Sequence, residues 1–243
     1  MRVSAILPAA GHGTRMGREA ARRHGGDRKQ FIKLGGDPVL ALTVRKFLAV
    51  ASVREILVAV PEGSLRAVET MLADAASDTP IRVLVGGPSR QESVRRCLAA
   101  VSPGTDLVAV HDAVRPFVPV DLIERAIAET ERHGAVILGM PADETVKQVS
   151  QQVVRATLPR ERIMLAQTPQ VFSLNLLRKA FAVASREDFK ATDEASLLEH
   201  INEDVYVLLG SERNIKITRP HHLPIAKLYY EEERRESAAV CGP

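Results

Sequence analysis

Near the start of the chain, the apolar stretch Val3-Ser4-Ala5-Ile6-Leu7 runs directly into Pro8-Ala9-Ala10-Gly11-His12-Gly13-Thr14-Arg15-Met16-Gly17. The small side chains of Ala9, Ala10, Gly11 and Gly13 leave room for backbone N–H groups to close around an anion. Arg15 adds a fixed cation with bidentate reach toward phosphate oxygens. Lys29, within Arg28-Lys29-Gln30, adds a compact second cation at the end of a hydrophilic segment. Such a set suits a triphosphate cradle with two cations aimed at a reacting phosphorus; the same glycines also fit a tight strand-to-loop turn with no ligand. Two other phosphate motifs are excluded. No Gly-Lys-Ser/Thr closes the loop as a P-loop requires, and Gly17 falls one place late for the G-x-G-x-x-G dinucleotide fingerprint.

Further along, Asp112 follows the apolar stretch 107–111, where a carboxylate is costly unless paired or metal-bound. Beside a triphosphate it could hold Mg²⁺, since hard cations favour oxygen ligands; an ion pair with Arg115 at the strand end satisfies it equally. Thr192-Asp193-Glu194-Ala195 reads as a helix N-terminus, with Thr192 as cap and the acids facing the dipole. Lys216, in Asn214-Ile215-Lys216-Ile217-Thr218, sits in a strand-like alternation that would ordinarily point it to solvent. His221-His222 lacks further His or Cys at ligand spacing. No serine or cysteine has a local base, so covalent catalysis has no support.

These residues need a scaffold, and the hydrophobic pattern supplies one. Strand-like runs at 55–60, 81–85, 107–111 and 135–140 alternate with helical patterns at 37–48, 64–76, 89–101 and 121–132, the last closed by Gly134. That alternation implies an α/β fold with a mostly parallel sheet and right-handed crossovers. Ligands in such sheets sit at the carboxyl ends of strands, so the glycine loop, Gly86-Gly87 and Asp112 should converge. Ser89 and Glu92 have capping-box spacing. From 143 the pattern changes: 145–149 and 153–157 flank the polar turn Ser150-Gln151-Gln152 and form a weakly apolar hairpin. It is either a plain surface hairpin or an arm covered by a second subunit. Helices are expected at 174–184 and after Thr192, strands at 205–209 and 214–218, and a charged helix at about 222–235. One domain spanning 1–236, with an arm at 141–160 and a loose tail at 237–243, describes the organisation.

With 45% hydrophobic and 26% charged residues, the 243-residue chain has the composition of a soluble globular protein. The net charge of +3 is spread without long cationic runs, and aromatics are only 4%, which argues against a stacking nucleic-acid surface. Two cysteines are too few for a disulfide framework. Neither a signal-peptide layout nor a membrane-length apolar run is present, so a cytoplasmic protein is expected.

Seven stretches, in order, resemble one family. They are Pro8-Ala9-Ala10-Gly11-x-Gly13-x-Arg15-Met16, Lys29-Gln30, Gly86-Gly87-x-x-Arg90-x-x-Ser93-Val94, Val110-His111-Asp112-Ala113-x-Arg115-Pro116, Thr168-Pro169-Gln170-x-Phe172, Thr192-Asp193-Glu194-Ala195-Ser196 and Asn214-Ile215-Lys216-x-Thr218-Arg219-Pro220. The set resembles the 2-C-methyl-D-erythritol 4-phosphate cytidylyltransferases, CTP-using enzymes of the non-mevalonate isoprenoid pathway. The first stretch is shared by many nucleotidyltransferases; the ordered set is far more specific. Three departures stand out: Arg28 precedes Lys29 where the family usually has Pro, the segment 18–27 is longer than usual, and Pro88 replaces the polar residue often found after the glycines.

The resemblance implies a Rossmann-like sheet of the nucleotide-diphospho-sugar transferase type with a protruding β-hairpin arm. It implies that Pro8, Ala9, Ala10, Gly11 and Gly13 cradle the nucleotide, that Gly87 and Ser93 contact the cytosine region, and that Arg90, Asp112 and Ala113 complete the nucleotide site. Arg15 and Lys29 would stabilise charge on the α-phosphate, while Arg160 and Lys216 hold the second substrate for attack. Asp112, Arg115, Thr145, Arg160, Thr168 and Lys216 would position methylerythritol phosphate, with Thr145, Arg160 and Thr168 reaching in from a partner's arm. Asp112 would be the protein ligand for Mg²⁺ or another divalent cation. The partners implied are CTP, a polyol phosphate and a second copy of the chain, with neither nucleic acid nor membrane. Two rivals are a cytidylyltransferase for ribitol 5-phosphate, disfavoured by Pro8-Ala9-Ala10-Gly11 and 192–196, and a CTP-binding regulator without catalysis.

Overall fold

Side chains of Val3, Ala5 and Leu7 turn to one side of the first strand and that of Ile6 to the other, and all four are fully buried. A strand with apolar residues on both faces must lie in the middle of a sheet covered twice, and β1 (Val3–Pro8) does. The structure, a computed structural model, describes every residue except 12–15, 27, 74, 76, 77 and 241–243. After β1 come α1 (Arg18–Arg23), the short pair β2 (Lys33–Leu34) and β3 (Asp37–Pro38), α2 (Val39–Leu48), β4 (Val53–Val60), α3 (Leu65–Ala73), β5 (Ile81–Val85), α4 (Arg90–Ala100) and β6 (Leu107–Val110). The second half contains α5 (Val120–His133), β7 (Ala135–Pro141), β8 (Val146–Ser150), β9 (Val153–Leu158), β10 (Met164–Ser173), α6 (Leu174–Arg186), α7 (Glu194–His200), β11 (Tyr206–Leu209) and α8 (Leu223–Val240).

Seven strands form the main sheet in the order β11-β7-β10-β6-β1-β4-β5. Only β10 runs against its neighbours; the other pairings in this sheet are parallel. On one face α2, α3 and α5 pack through Val44, Phe47, Leu72 and Ile123. On the other, α4, α6 and α7 pack through Val94, Leu98, Phe181 and Leu197. Each fully buried Leu, Ile or Phe contributes roughly 1.5–3 kcal/mol relative to exposure, so these two layers hold the strand ends in place. A third cluster joins Ile32, Leu34, Phe117 and Ile217 to Leu223, Ala226 and Tyr230 of α8. The Tyr230 hydroxyl donates to Asp37 Oδ2 at 2.8 Å, and Arg213 Nη1 lies 2.9 Å from Glu232 Oε2, so α8 braces the segment before residue 214.

Most expected elements are present within a few residues. Gly134 closes α5 in the left-handed conformation at φ 77°, the geometry its type favours. Ser89 caps α4 by accepting the Glu92 N–H at 3.0 Å, while the Glu92 carboxylate turns to Arg95 and Arg96. The hairpin β8–β9 is a separate two-stranded sheet, exposed over most of its length. Gln151 and Gln152 sit at φ 48° and 64°, the pair of left-handed residues that a two-residue hairpin turn demands.

Four expectations are corrected. Residues 214–218 are not a strand; Ile217 N–H donates to the Val114 carbonyl at 2.9 Å, but no ladder forms. The cap of α7 is Asp193, whose Oδ1 accepts the Ser196 N–H at 3.1 Å, not Thr192. Residues 237–240 continue α8 and are not a loose tail; 241–243 lie outside the described residues. Thr168 is not on the arm: it is buried in β10, inside the main sheet. The expected end of the 64–76 helix at Ala76 lies outside the described residues, and the helix is seen as Leu65–Ala73.

Candidate active site

β1, β5 and β6 are parallel members of one sheet, so their carboxyl ends share an edge. Beyond each end the chain is polar or small: Pro8 to Gly11 after β1, Gly86 to Ser93 after β5, and His111 to Arg115 after β6. Residues from these three stretches, with Lys29, Gln30 and Lys216, line a cavity of about 220 Å³. Among the predicted site residues, Pro8, Ala9, Ala10, Gly11, Lys29, Gly87, Arg90, Ser93, Asp112, Ala113 and Lys216 line it. Gly13 and Arg15 lie outside the described residues, as does Asp27 of the 18–27 segment.

The walls are fixed locally. A Cβ on Gly86 would meet Ala10 Cβ at 2.4 Å, so only glycine lets the turn after β5 close on the loop after β1. Ser93 is buried and its hydroxyl both accepts the Gly87 N–H at 3.0 Å and donates to the Ser89 carbonyl at 2.8 Å, which shapes this turn. Gln30 Nε2 donates to the Ala9 carbonyl at 2.6 Å and ties the Lys29 segment to the first loop.

Asp112 is the electrostatic centre. Its Oδ2 lies 2.7 Å from Lys216 Nζ and 3.3 Å from Arg115 Nε, and its Oδ1 lies 3.4 Å from Arg90 Nε. Burial by itself would raise the pKa, but Arg90, then Lys216 and Arg115, hold the carboxyl well below the usual range. Its backbone N–H donates to Thr168 Oγ1 at 3.0 Å. Arg115 does not line the cavity: it is buried behind Asp112, and its Nη1 donates to the Asn214 carbonyl at 2.6 Å. His111 packs its ring 5.0 Å from that of Phe47 and lies 3.0 Å by Nε2 from the Arg115 carbonyl oxygen. Burial pushes its pKa down to about 4, which makes it a neutral support near pH 7. Thr145 is exposed where the hairpin leaves the sheet, and Arg160 is exposed with its Nη1 donating to the Asp143 carbonyl at 2.6 Å; neither lines this cavity.

A buried carboxylate ringed by cations, beside the loop after a central parallel strand, fits nucleotidyl transfer, and the relatives narrow it. The family model described as "IspD: 2-C-methyl-D-erythritol 4-phosphate cytidylyltransferase" matches residues 3–232. The chain belongs to this family. It is 47% identical over 241 residues to the enzyme of that name from Solibacter usitatus, covering 98% of this chain and 99% of the relative. The Acidobacterium capsulatum enzyme of that name is 45% identical, with 96% and 98% covered. Among solved structures, the Francisella tularensis enzyme superposes with a TM-score of 0.77 at 35% identity, covering 94% of this chain and all 100% of that one. The Thermus thermophilus enzyme gives 0.74 at 33% identity, with 94% and 98% covered.

Lys216 lines the cavity, the place that the resemblance implies and the local alternation alone would not give it. It points there, not to solvent, because its segment is clamped on both sides. Asn214, fully buried, donates from Nδ2 to Gln167 Oε1 at 3.1 Å and to the Thr168 carbonyl at 2.8 Å. Sequence reasoning gave Asn214 no task of its own; its signal was its place two residues before a lysine with chemistry to do. Replacing Asn214 by Ala removes both bonds and strands a buried carbonyl. The variant is expected to lose about 1–3 kcal/mol of stability in urea unfolding, with turnover about tenfold lower from the loosened Lys216.

Proposed function

We propose that this cavity transfers the cytidylyl group of CTP to 2-C-methyl-D-erythritol 4-phosphate, giving 4-diphosphocytidyl-2-C-methyl-D-erythritol and pyrophosphate. Family membership makes the chain a CTP-dependent nucleotidyltransferase of isoprenoid precursor biosynthesis. The observation that carries the residue-level reading is the meeting of three separate stretches in one cavity: the loop after β1 with Lys29, the Gly87 turn, and the Asp112–Lys216 pair.

A phosphate oxygen of the polyol phosphate attacks the α-phosphorus in line; that P–O bond forms as the bond to the pyrophosphate oxygen breaks. Both reactants are anions, so the protein needs cations and orientation more than a nucleophile. Backbone and small side chains from Pro8 to Gly11 cradle the nucleotide, and the Gly87 turn takes the base. Lys29, with Arg15, meets charge developing on the α-phosphate. Lys216, steered by Asp112, orients the attacking phosphate.

Asp112 is the one carboxylate lining the cavity among the described residues. Its Oδ1 makes a long 3.4 Å contact with Arg90, which leaves that oxygen able to face a divalent ion. One carboxylate plus substrate phosphates is a common arrangement for Mg²⁺. Mg²⁺ held there would neutralise phosphate charge and align the leaving group.

The enzyme acts as a homodimer whose arms carry Thr145 and Arg160 to the partner's cavity. Val149, Val153 and Val154 on the hairpin, Leu165 near the start of β10, and Val207 and Leu209 on the edge strand β11 are exposed apolar side chains that such a contact would cover. A cytoplasmic residence goes with Cys97, a buried free thiol whose pKa burial pushes up to about 12. Among the described residues no helix is long and apolar enough to cross a membrane.

Pyrophosphate release by purified protein with CTP and Mg²⁺ tests the reaction. Release is expected with methylerythritol 4-phosphate and not with ribitol 5-phosphate. Release only with ribitol 5-phosphate would change the substrate, and CTP binding without release from either would favour a regulator. Mixing tests the arm. Lys29→Ala alone is expected to lower turnover about 10²–10³-fold, and Arg160→Ala also to be severely impaired. Mixed and re-equilibrated, the two should recover about a quarter of wild-type activity, because each hybrid dimer has one intact shared site. No recovery, with dimer exchange confirmed by mass, would place Arg160 outside the partner's site.

A further inference from the structure

The acidic start of α7 reads as helix-dipole chemistry, yet Glu194 has left that role. It is 1% exposed, and its two carboxylate oxygens lie 2.7 and 2.8 Å from Arg90 Nη1, 104 residues away in the chain. Arg90 begins α4 and lines the nucleotide cavity. The same arginine has Asp112 Oδ1 within 3.4 Å of its Nε, so two carboxylates compete for one guanidinium. Glu194 holds it at the shorter distance. Burial works against both charges and raises the Glu194 pKa despite the opposing pull of Arg90.

We propose that Glu194 is a positioning residue for the transfer reaction: by holding Arg90 at the shorter distance it keeps that arginine on the cavity wall and limits its hold on Asp112 to the long 3.4 Å contact at Oδ1, the oxygen proposed above to face a divalent ion. The inference rests on the proposed transfer reaction. Its supports are all on the scaffold side. Gln170 Oε1 accepts the N–H groups of Glu194 and Ala195 at 3.1 and 3.2 Å, while its Nε2 donates to Asp193 Oδ2 at 2.7 Å. This fixes the first turn of α7 against β10, the strand that also supplies Thr168 to Asp112. A second clamp binds the start of α4: Gln91 Nε2 donates to the Phe189 carbonyl and its Oε1 accepts the Ala191 N–H, both at 3.1 Å. The backbone at the start of α4 is therefore held independently of Glu194, and the carboxylate's separate effect is on where the Arg90 head lies.

Without the Glu194 charge, Arg90 is left with Asp112 alone and closes on Oδ1, taking up the oxygen proposed above to face a divalent ion while Lys216 stays on Oδ2. Glu194→Gln keeps the size and one acceptor oxygen while removing the charge. Turnover at saturating substrates should fall about 10- to 100-fold, with the CTP dissociation constant measured by calorimetry changed less than about threefold. Glu194→Asp, which keeps the charge, should restore turnover to within about fivefold of wild type. A structural filler would behave otherwise: Gln would act like wild type, and a Glu194→Gln enzyme with unchanged kcat and KM overturns the proposal. Crystallography supplies a readout independent of activity. In Glu194→Gln, Arg90 should close on Asp112 Oδ1 to an ordinary hydrogen-bond length of about 2.9 Å; an unmoved Arg90 overturns the proposal too. If Gln prevents folding, Glu194→Asp decides alone, and a hundredfold loss with Arg90 still away from Asp112 counts against it. Absence of pyrophosphate release by the wild type would defeat the proposed reaction, while the crystallographic comparison would still judge the role of Glu194.

Discussion

One buried carboxylate organises this protein. Asp112 sits at the end of β6 with Arg90, Arg115 and Lys216 around it, and each of those cations comes from a different part of the chain. A lone buried carboxylate would protonate or be excluded; a lone buried guanidinium would be as costly. Gathered together they are tolerated, and the cost of breaking any pair keeps the others in place. The cluster joins the start of α4, the loop after β6 and the loop before α8, segments that the Gln91, Asn214 and Ile217 hydrogen bonds also tie down. The geometry of the cavity rests on this charge cluster as well as on packing.

The scaffold turns that constraint into a site. Parallel strands deliver three chain segments to one edge, and two apolar layers hold those strands rigidly. β10, the strand that runs the other way, enters beside β6 and brings Thr168 to the Asp112 backbone and Gln170 to the start of α7. Asn214 then fastens the Lys216 segment to β10, and α8 braces it from behind through Arg213 and Glu232. A cation-rich pocket built this way attracts anionic substrates and offers preformed donors, which is what transfer between two anions requires.

Much of this was legible in the sequence, for reasons that differ by element. Apolar runs 4–8 residues long mark β4, β6 and β7 because strands buried on both faces have no polar side, and Gly134 marks a helix end because few residues accept its backbone conformation. The cavity's floor was legible because its residues fall directly after apolar runs. What sequence reading misplaced was decided by distant partners. Thr192 and Asp193 are both good caps, and only the packing of Gln170 against Asp193 selects the second. The alternation at 214–218 looks like a strand, but its hydrogen bonds go to Arg115 and Val114 instead of a ladder. Glu194 follows the rule for an acid in a first helical turn, and nothing local reveals an arginine 104 residues earlier.

The central claim is that the Asp112 carboxylate, by its charge, sets the positions of the cations that carry out the transfer. Turnover of folded Asp112→Asn enzyme, with folding verified by urea unfolding on the same preparation, tests it most directly. Asn preserves the shape and can still accept from Lys216, but it leaves the buried Arg115 and the half-buried Arg90 and Lys216 without their common counter-charge. The account predicts a loss of about 3–5 kcal/mol in stability together with turnover at least about a hundredfold lower in the fraction that remains folded. Folded Asp112→Asn enzyme turning over at the wild-type rate would contradict it.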